Sequence, residues 1–150
     1  MNPGFHWPLR VYYEDTDAGG IVFYANYLKF FERARTEWLR AAGINQQMLA
    51  AQEQRIFVVK STAIDYHAPA KLDDRLEITV SVKKLGRASV EFMQEAWCTG
   101  HGSGDAGPPR LLCSGGIRVG CVDALALRPA PIPASVHACI SRFAGTSASG

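Results

Sequence analysis

Residues 12 to 26 read Tyr12-Tyr13-Glu14-Asp15-Thr16-Asp17-Ala18-Gly19-Gly20-Ile21-Val22-Phe23-Tyr24-Ala25-Asn26, and Tyr27 to Ala42 follow with a different period. Asp15 to Gly20 is turn chemistry: two short acids, a threonine and a glycine pair that tolerates positive φ. Before it, Leu9 to Glu14 is rich in β formers and alternates in part, which predicts a strand. After it, Ile21 to Asn26 is short and apolar. From Tyr27 the spacing is helical: Tyr27, Phe31, Ala34, Trp38 and Ala41 step by 4, 3, 4 and 3 along one face. Leu28, Phe30 and Ala42 widen that stripe, while Glu32, Arg33, Arg35, Glu37 and Arg40 mostly fall outside it. Asn26 stands where an N-cap belongs and Gly43 where a C′ glycine belongs. A stripe with three aromatic side chains needs a wide apolar partner, and a single sheet provides one.

The remainder of the chain reads as strands. Ile44 to Gln54 is a short helix or an irregular connection, and Ile56 to Tyr66 is long and β-branched. His67 to Asp74 is a turn. Arg75 to Leu85 alternates Leu76, Ile78, Val80 and Val82 against polar residues, the pattern of a half-buried strand. Gly86-Arg87 forms a corner, and Ala88 to Thr99 alternates again. Gly100 to Pro109 holds four glycines and two prolines and reads as a hairpin loop. Leu111 to Val122 is the last strand, where Gly115-Gly116 marks a bulge or a close backbone contact. Pro129, Pro131 and Pro133 form an extended segment, Ala134 to Phe143 a short helix, and 144–150 a frayed tail.

The expected architecture is α+β: one strand, a long helix, then four strands in an antiparallel meander, with the helix on one face of a curved sheet. One helix does not cover five long strands, and both sheet edges stay open. A homo-oligomer, at least a dimer, resolves both problems. At 150 residues the chain is one domain, assigned to 1–143. A net charge of +2 gives no nucleic-acid footprint. The longest apolar-rich stretch, Ile21 to Phe31, is too short to cross a bilayer. Residues 1 to 8 carry no basic leader or apolar core, so a cytoplasmic location is expected. Cys98, Cys113, Cys121 and Cys139 contain no C-x-x-C pair and are read as reduced thiols on or under strands. His67, His101 and His137 share no ligand spacing, so no metal site is expected.

Chemistry concentrates in residues 14 to 26, where three carboxylates stand beside a Gly-Gly turn that leads into a helix N-terminus. Free N–H groups and the positive dipole end lie there. A carboxylate held near such donors can act on a polarised carbonyl. Equally, Asp15 and Asp17 can be turn residues that bond the backbone two residues on.

The run from Tyr12 to Glu37 resembles the hotdog-fold acyl-CoA thioesterases, in particular the 4-hydroxybenzoyl-CoA thioesterase family and its Tol–Pal-associated (YbgC-type) branch. The similarity continues in Tyr66-His67-Ala68-Pro69-Ala70-Lys71-Leu72-Asp73-Asp74, in Gly86-Arg87-Ala88-Ser89 and in Cys121-Val122-Asp123, and so spans about residues 8 to 143. It implies a five-stranded antiparallel sheet wrapped around one long central helix. It also implies hydrolysis of an acyl-CoA to free acid and CoA, without cofactor or metal. By the same resemblance Asp17 is the catalytic carboxylate, as base or nucleophile. The backbone N–H of Tyr24 is the oxyanion donor, and Gly19, Gly20 and Val22 line the substrate. Many relatives carry His where this chain has Tyr24. Lys60 and Arg87, with Arg118 a further candidate, offer cations for CoA phosphates. Two other roles stay open: action on acyl carrier protein thioesters, or a non-catalytic scaffold that binds acyl groups or envelope partners.

Overall fold

The computed structural model describes residues 4–104 and 107–148. Strand β1 is Phe5–Arg10, and helix α1 is Tyr27–Ala41. Helix α2 is Gln46–Glu53, followed by β2 (Arg55–Tyr66), β3 (Asp74–Leu85), β4 (Ser89–His101) and β5 (Arg110–Asp123). Helix α3 is Ala134–Ala148. All strand pairs are antiparallel, in the order β1-β3-β4-β5-β2.

That order corrects the expected four-strand meander. Only β3, β4 and β5 form one; β2 lies beyond β5, at the edge. The segment after β2 carries the chain across the end of the sheet instead of turning back beside it. His67 and Ala68 N–H groups donate to Leu112 O, Ala70 O accepts from Val22, and Asp73 N–H donates to Val11 O. Strand β1 also starts earlier than expected, and Tyr13–Asp15 is a 3-10 turn instead of strand. Pro8 hid the strand; it is tolerated because β1 is an edge paired only with β3, Pro8 lying opposite Glu77. Helix α3 runs five residues past its expected end at Phe143. Residues 144–148 are therefore helical and not a frayed tail, while 149–150 lie outside the described residues.

Helix α1 packs its stripe on the sheet. Phe30, Phe31, Ala34 and Trp38 are fully buried, together with Ile78, Phe92, Leu112 and Ile117. The Trp38 ring meets Phe92 and Phe143 edge-on at 5.5 and 5.1 Å, an arrangement favoured by the ring quadrupoles. The stripe is narrower than the sequence suggested at its ends: Leu28 is 44% exposed and Ala41 is exposed. Arg35, read as outside it, is buried. Its Nη1 donates to Gln94 Oε1 at 3.0 Å, and Gln94 Nε2 donates to Phe31 O at 3.1 Å. A fully buried glutamine on β4 thus ties the middle of α1 to the sheet, which satisfies polar groups that would otherwise be costly to bury. Burial pushes the Arg35 pKa down, opposed by the Glu32 carboxylate.

Register shifts at Val59/Ser61, Arg75/Leu76, Val82/Lys84 and Ala96/Trp97 bend the sheet around the helix. None falls at Gly115-Gly116. There the close-contact alternative holds, because a Cβ on Gly115 would lie 2.8 Å from Ala63 O. Cys98, Cys113 and Cys121 sit on strands as free thiols, and Cys139 is on α3. The two edges differ. β1 is short and interrupted by Pro8, whereas β2 is 12 residues long with its second half mostly exposed.

Candidate active site

The Asp15–Gly20 stretch and the apolar run after it form one small hairpin. Phe23 N–H donates to Asp15 O at 3.0 Å, Thr16 bridges Val22, and Asp17 N–H donates to Ile21 O at 2.9 Å. The tip closes with Gly20 N–H on Asp17 O at 3.0 Å. Gly20 has φ +79°, so the turn uses the left-handed region there. A Cβ at Gly20 would meet nothing within 4 Å, so the constraint at this position is backbone conformation, not space. Gly20→Val places a β-branched residue at that φ, at a cost of roughly 1–3 kcal/mol of strain. The expected outcome is a fold that survives with kcat/KM down about five- to a hundredfold, one decade per 1.4 kcal/mol if the strain is relieved by moving the tip. Near-parental turnover of benzoyl-CoA and short acyl-CoAs would remove the tip from the site.

The two aspartates of the hairpin have different fates. Asp15 is buried, with Oδ2 accepting from Tyr12 N–H at 2.9 Å and Oδ1 from Asn26 Nδ2 at 2.8 Å. It pins the end of β1 to the start of the helix. This also corrects the expectation for Asn26, whose side chain makes no cap bond to the helix and holds Asp15 instead. Asp17 is exposed. Its Oδ1 accepts from Gly19 N–H at 2.8 Å, the bond two residues on that a turn aspartate makes. Among the described residues Oδ2 has no protein donor, so one carboxylate oxygen is anchored while the other faces outward.

Tyr24 opens a 3-10 turn, Tyr24–Asn26, that runs directly into α1. The two form one helical segment whose opening N–H groups have no acceptor within it. Along the hairpin Asp17 stands opposite Ile21, and the Tyr24 N–H lies three residues, roughly 10 Å of chain, beyond Ile21. The Tyr24 ring is 63% exposed and packs on Phe23 (4.8 Å) and Tyr66 (6.1 Å). Tyr66 on β2 donates its hydroxyl to Tyr24 O at 3.0 Å. Burial, with Cys113 and Tyr24 nearby, pushes the Tyr66 phenol up, so it stays protonated and keeps donating. The spacing of the sequence carried no signal for this contact, because 42 residues separate the partners. Phe23, Tyr24, Leu28 and Tyr66 are all more than 40% exposed and leave an apolar shelf beside the turn.

The other expected site residues are placed less directly. Gly19 sits at the tip, and a Cβ there would press on Asp17 Oδ1 at 3.2 Å. Val22 is 5% exposed and belongs to the core, with its N–H on Ala70 O. It anchors the hairpin. Lys60 is six residues before Tyr66 on β2, about 20 Å along the strand. It lies over Gly120, where a Cβ would collide with its methylenes. Arg87 is at the β3–β4 corner, at the opposite end of the sheet from Asp74. Arg118 is exposed on β5. One chain therefore gathers Asp17, Gly19, Gly20 and Tyr24, and leaves Lys60, Arg87 and Arg118 apart from them. A cleft of about 150 Å³ between α1 and the sheet is lined by Arg35, Leu39, Phe57, Val59, Phe92 and Val119 among others. It opens two helical turns beyond Tyr24, beside the free β2 edge.

A family model, the Thioesterase superfamily, matches residues 19–104, and the chain belongs to that superfamily. It is similar to the acyl-CoA thioesterase YbgC of Haemophilus influenzae, 43% identical over 138 residues, covering 92% of this chain and 95% of that one. It is equally similar to the acyl-CoA thioester hydrolase YbgC of Escherichia coli, 43% identical over 134 residues, with 89% and 93% covered. Among solved structures, a 1,4-dihydroxy-2-naphthoyl-CoA thioesterase from Synechocystis superposes with a TM-score of 0.78 at 22% identity, covering 91% of this chain and 95% of the other. The sheet around its long helix is the hotdog fold.

Proposed function

We infer that the chain hydrolyses the thioester of an acyl-CoA to free acid and CoA at the hairpin that carries Asp17. One observation carries this reading: an outward-facing carboxylate, anchored by one oxygen, sits at the tip of a hairpin that leads directly into the opening N–H groups of a long helical segment. The names of its YbgC relatives supply the substrate class.

The chemistry needs little else. A thioester carbonyl is electrophilic, and a thiolate is a good leaving group. The Tyr24 N–H and the positive end of the helix stabilise the oxyanion as it forms. In the base route Asp17 takes a proton from water, the hydroxide oxygen bonds to the carbonyl carbon, and the C–S bond breaks. The proton on Asp17 then passes to the departing thiolate. In the nucleophile route Asp17 displaces the thiolate to form a mixed anhydride, which water cleaves. A single turnover in ¹⁸O-water separates them: label enters the product acid directly in the first, and enters the Asp17 carboxyl when water attacks that carbonyl in the second. The apolar shelf of Phe23, Tyr24, Leu28 and Tyr66 provides the surface for the acyl group. Matched acyl-CoA and acyl carrier protein thioesters, compared by kcat/KM, test the carrier. CoA thioesters are expected to be turned over faster, and a preference for the carrier protein would move the substrate class.

The long, exposed β2 edge supports a homodimer in which two sheets join edge to edge, with pairs of dimers giving a tetramer. That arrangement would bring a second chain beside the shelf and the α1 cleft, and would supply Lys60, Arg87 or Arg118 from the partner for CoA phosphates. Light scattering at low micromolar concentration should show no monomer; a stable, active monomer would rule the arrangement out. The free thiols fit a reducing compartment such as the cytoplasm, and no helix of the described residues is long and apolar enough to cross a membrane.

A further inference from the structure

We propose that Asp74, Cys98 and His101 form a binding site for one divalent transition-metal ion of the zinc class, made of other residues than the Asp17 hairpin and joined to it through Lys71, which bridges Ile21. One ligand atom from each lies within 4.8 Å of the others. Asp74 and Cys98 are buried at 2% and 4% exposure, while the His101 side chain is 64% exposed. Two ligands are thus fixed in the protein and the third closes the site from solvent, leaving an open position toward a cleft also lined by Pro69, Lys71 and Arg110.

The backbone explains why the three converge. Asp74 opens β3 and pairs with His101, while Leu76 pairs with Cys98. Cys98 and His101 are three apart, which in a regular strand sends side chains to opposite faces. The register shift at Arg75/Leu76 inserts one extra residue on β4 and restores the parity, so both reach Asp74. The set leaves no spacing signature in the sequence, because Asp74 comes from the neighbouring strand, 24 residues away from Cys98.

The site is held in place before any ion enters. Asp74 Oδ2 accepts from Lys71 N–H at 2.8 Å, and Oδ1 bonds His101 Nδ1 at 2.7 Å. Cys98 Sγ rests on Gly100 O at 3.5 Å. Arg10 Nη1 clamps the surrounding turns through Asp73 O and Gly102 O at 3.0 and 3.2 Å. Two of the nearby cations are tied to carbonyls: Arg110 Nη2 to Pro69 O at 3.0 Å and Arg75 Nη2 to Gly104 O at 2.9 Å. Tetrahedral zinc with bonds of about 2.0–2.3 Å sets its ligand atoms roughly 3.3–3.7 Å apart, inside the observed spread. A mixed S, N and O set with two anionic ligands neutralises a dipositive ion and favours zinc or cobalt over calcium and magnesium, which take oxygen. Binding through His101 Nδ1 takes the place of its hydrogen bond to Asp74, the neutral imidazole carrying its one proton on Nε2, and the Cys98 thiol proton leaves to solvent.

The test uses the full chain stripped with chelator, in a Cys139→Ser background that removes the half-buried thiol on α3. Titration with Co²⁺ should raise a near-ultraviolet thiolate-to-cobalt charge-transfer band that saturates at one ion per chain, and Zn²⁺ should abolish it. Cys98→Ser should eliminate the band. His101→Ala removes an exposed side chain and one partner of buried Asp74, so its fold is checked by circular dichroism, and it should weaken Co²⁺ at least about tenfold. No band at a several-fold excess of Co²⁺, a band that survives in Cys98→Ser, or unchanged affinity in His101→Ala would overturn the site.

Discussion

Asp17→Asn should lower kcat by at least about 10² while acyl-CoA still binds. The structure makes this substitution a clean one. Asp17 Oδ1 accepts the Gly19 N–H, and an asparagine carbonyl oxygen accepts the same bond, so the turn is preserved. What disappears is the charge on the outward oxygen, and an amide is neither a competent base nor a nucleophile. Asp15→Asn provides the contrast. Both Asp15 oxygens face donors, Tyr12 N–H and Asn26 Nδ2, so an amide would set NH₂ against one of them. That loss should be read in stability, about 1–3 kcal/mol for an unsatisfied buried group, with kcat of the folded enzyme far less affected. Equal activity of Asp17→Asn and the parent would refute the site assignment whatever the fold.

The second large effect concerns a backbone group, which side-chain substitution ordinarily leaves alone. Tyr24 is the first residue of its helical segment, where proline is tolerated because its missing N–H has no intrahelical acceptor. The preceding Phe23 has φ −61° and ψ 129°, the extended conformation that a following proline requires. Tyr24→Pro therefore deletes the proposed oxyanion donor with little local rearrangement. It should cost about 10²–10³ in kcat, the size measured when such a donor is removed elsewhere. Tyr24→Phe keeps the N–H, and Tyr66 bonds the carbonyl of residue 24, not its phenol, so most activity should remain. The reverse order, with Phe inactive and Pro active, would make the phenol the working group.

The helix stripe was legible because burial imposes its period directly on the sequence: Phe31, Ala34 and Trp38 are where the spacing put them. The alternating strands β3 and β4 were legible for the same reason. Strand order was not, since a segment such as His67–Asp73 reads as a turn whether it forms a hairpin or carries the chain across the sheet. Buried polar groups were also invisible: Arg35 finds Gln94 59 residues away, and Asp15 finds Asn26 at the start of the helical segment. At the site, composition alone left Asp15 and Asp17 equivalent. Burial of Asp15 between two donors and exposure of Asp17 at the tip separate them in the structure.

The central claim is turnover at this hairpin. Free thiol released from a series of short-chain, long-chain and aromatic acyl-CoAs by the purified parent chain tests it most directly. The account predicts multiple-turnover release of CoA from at least one member of the series, with the free acid formed in equal amount. Acyl-CoA binding with no thiol release across the whole series would contradict it and leave a hotdog scaffold that holds acyl groups without cleaving them.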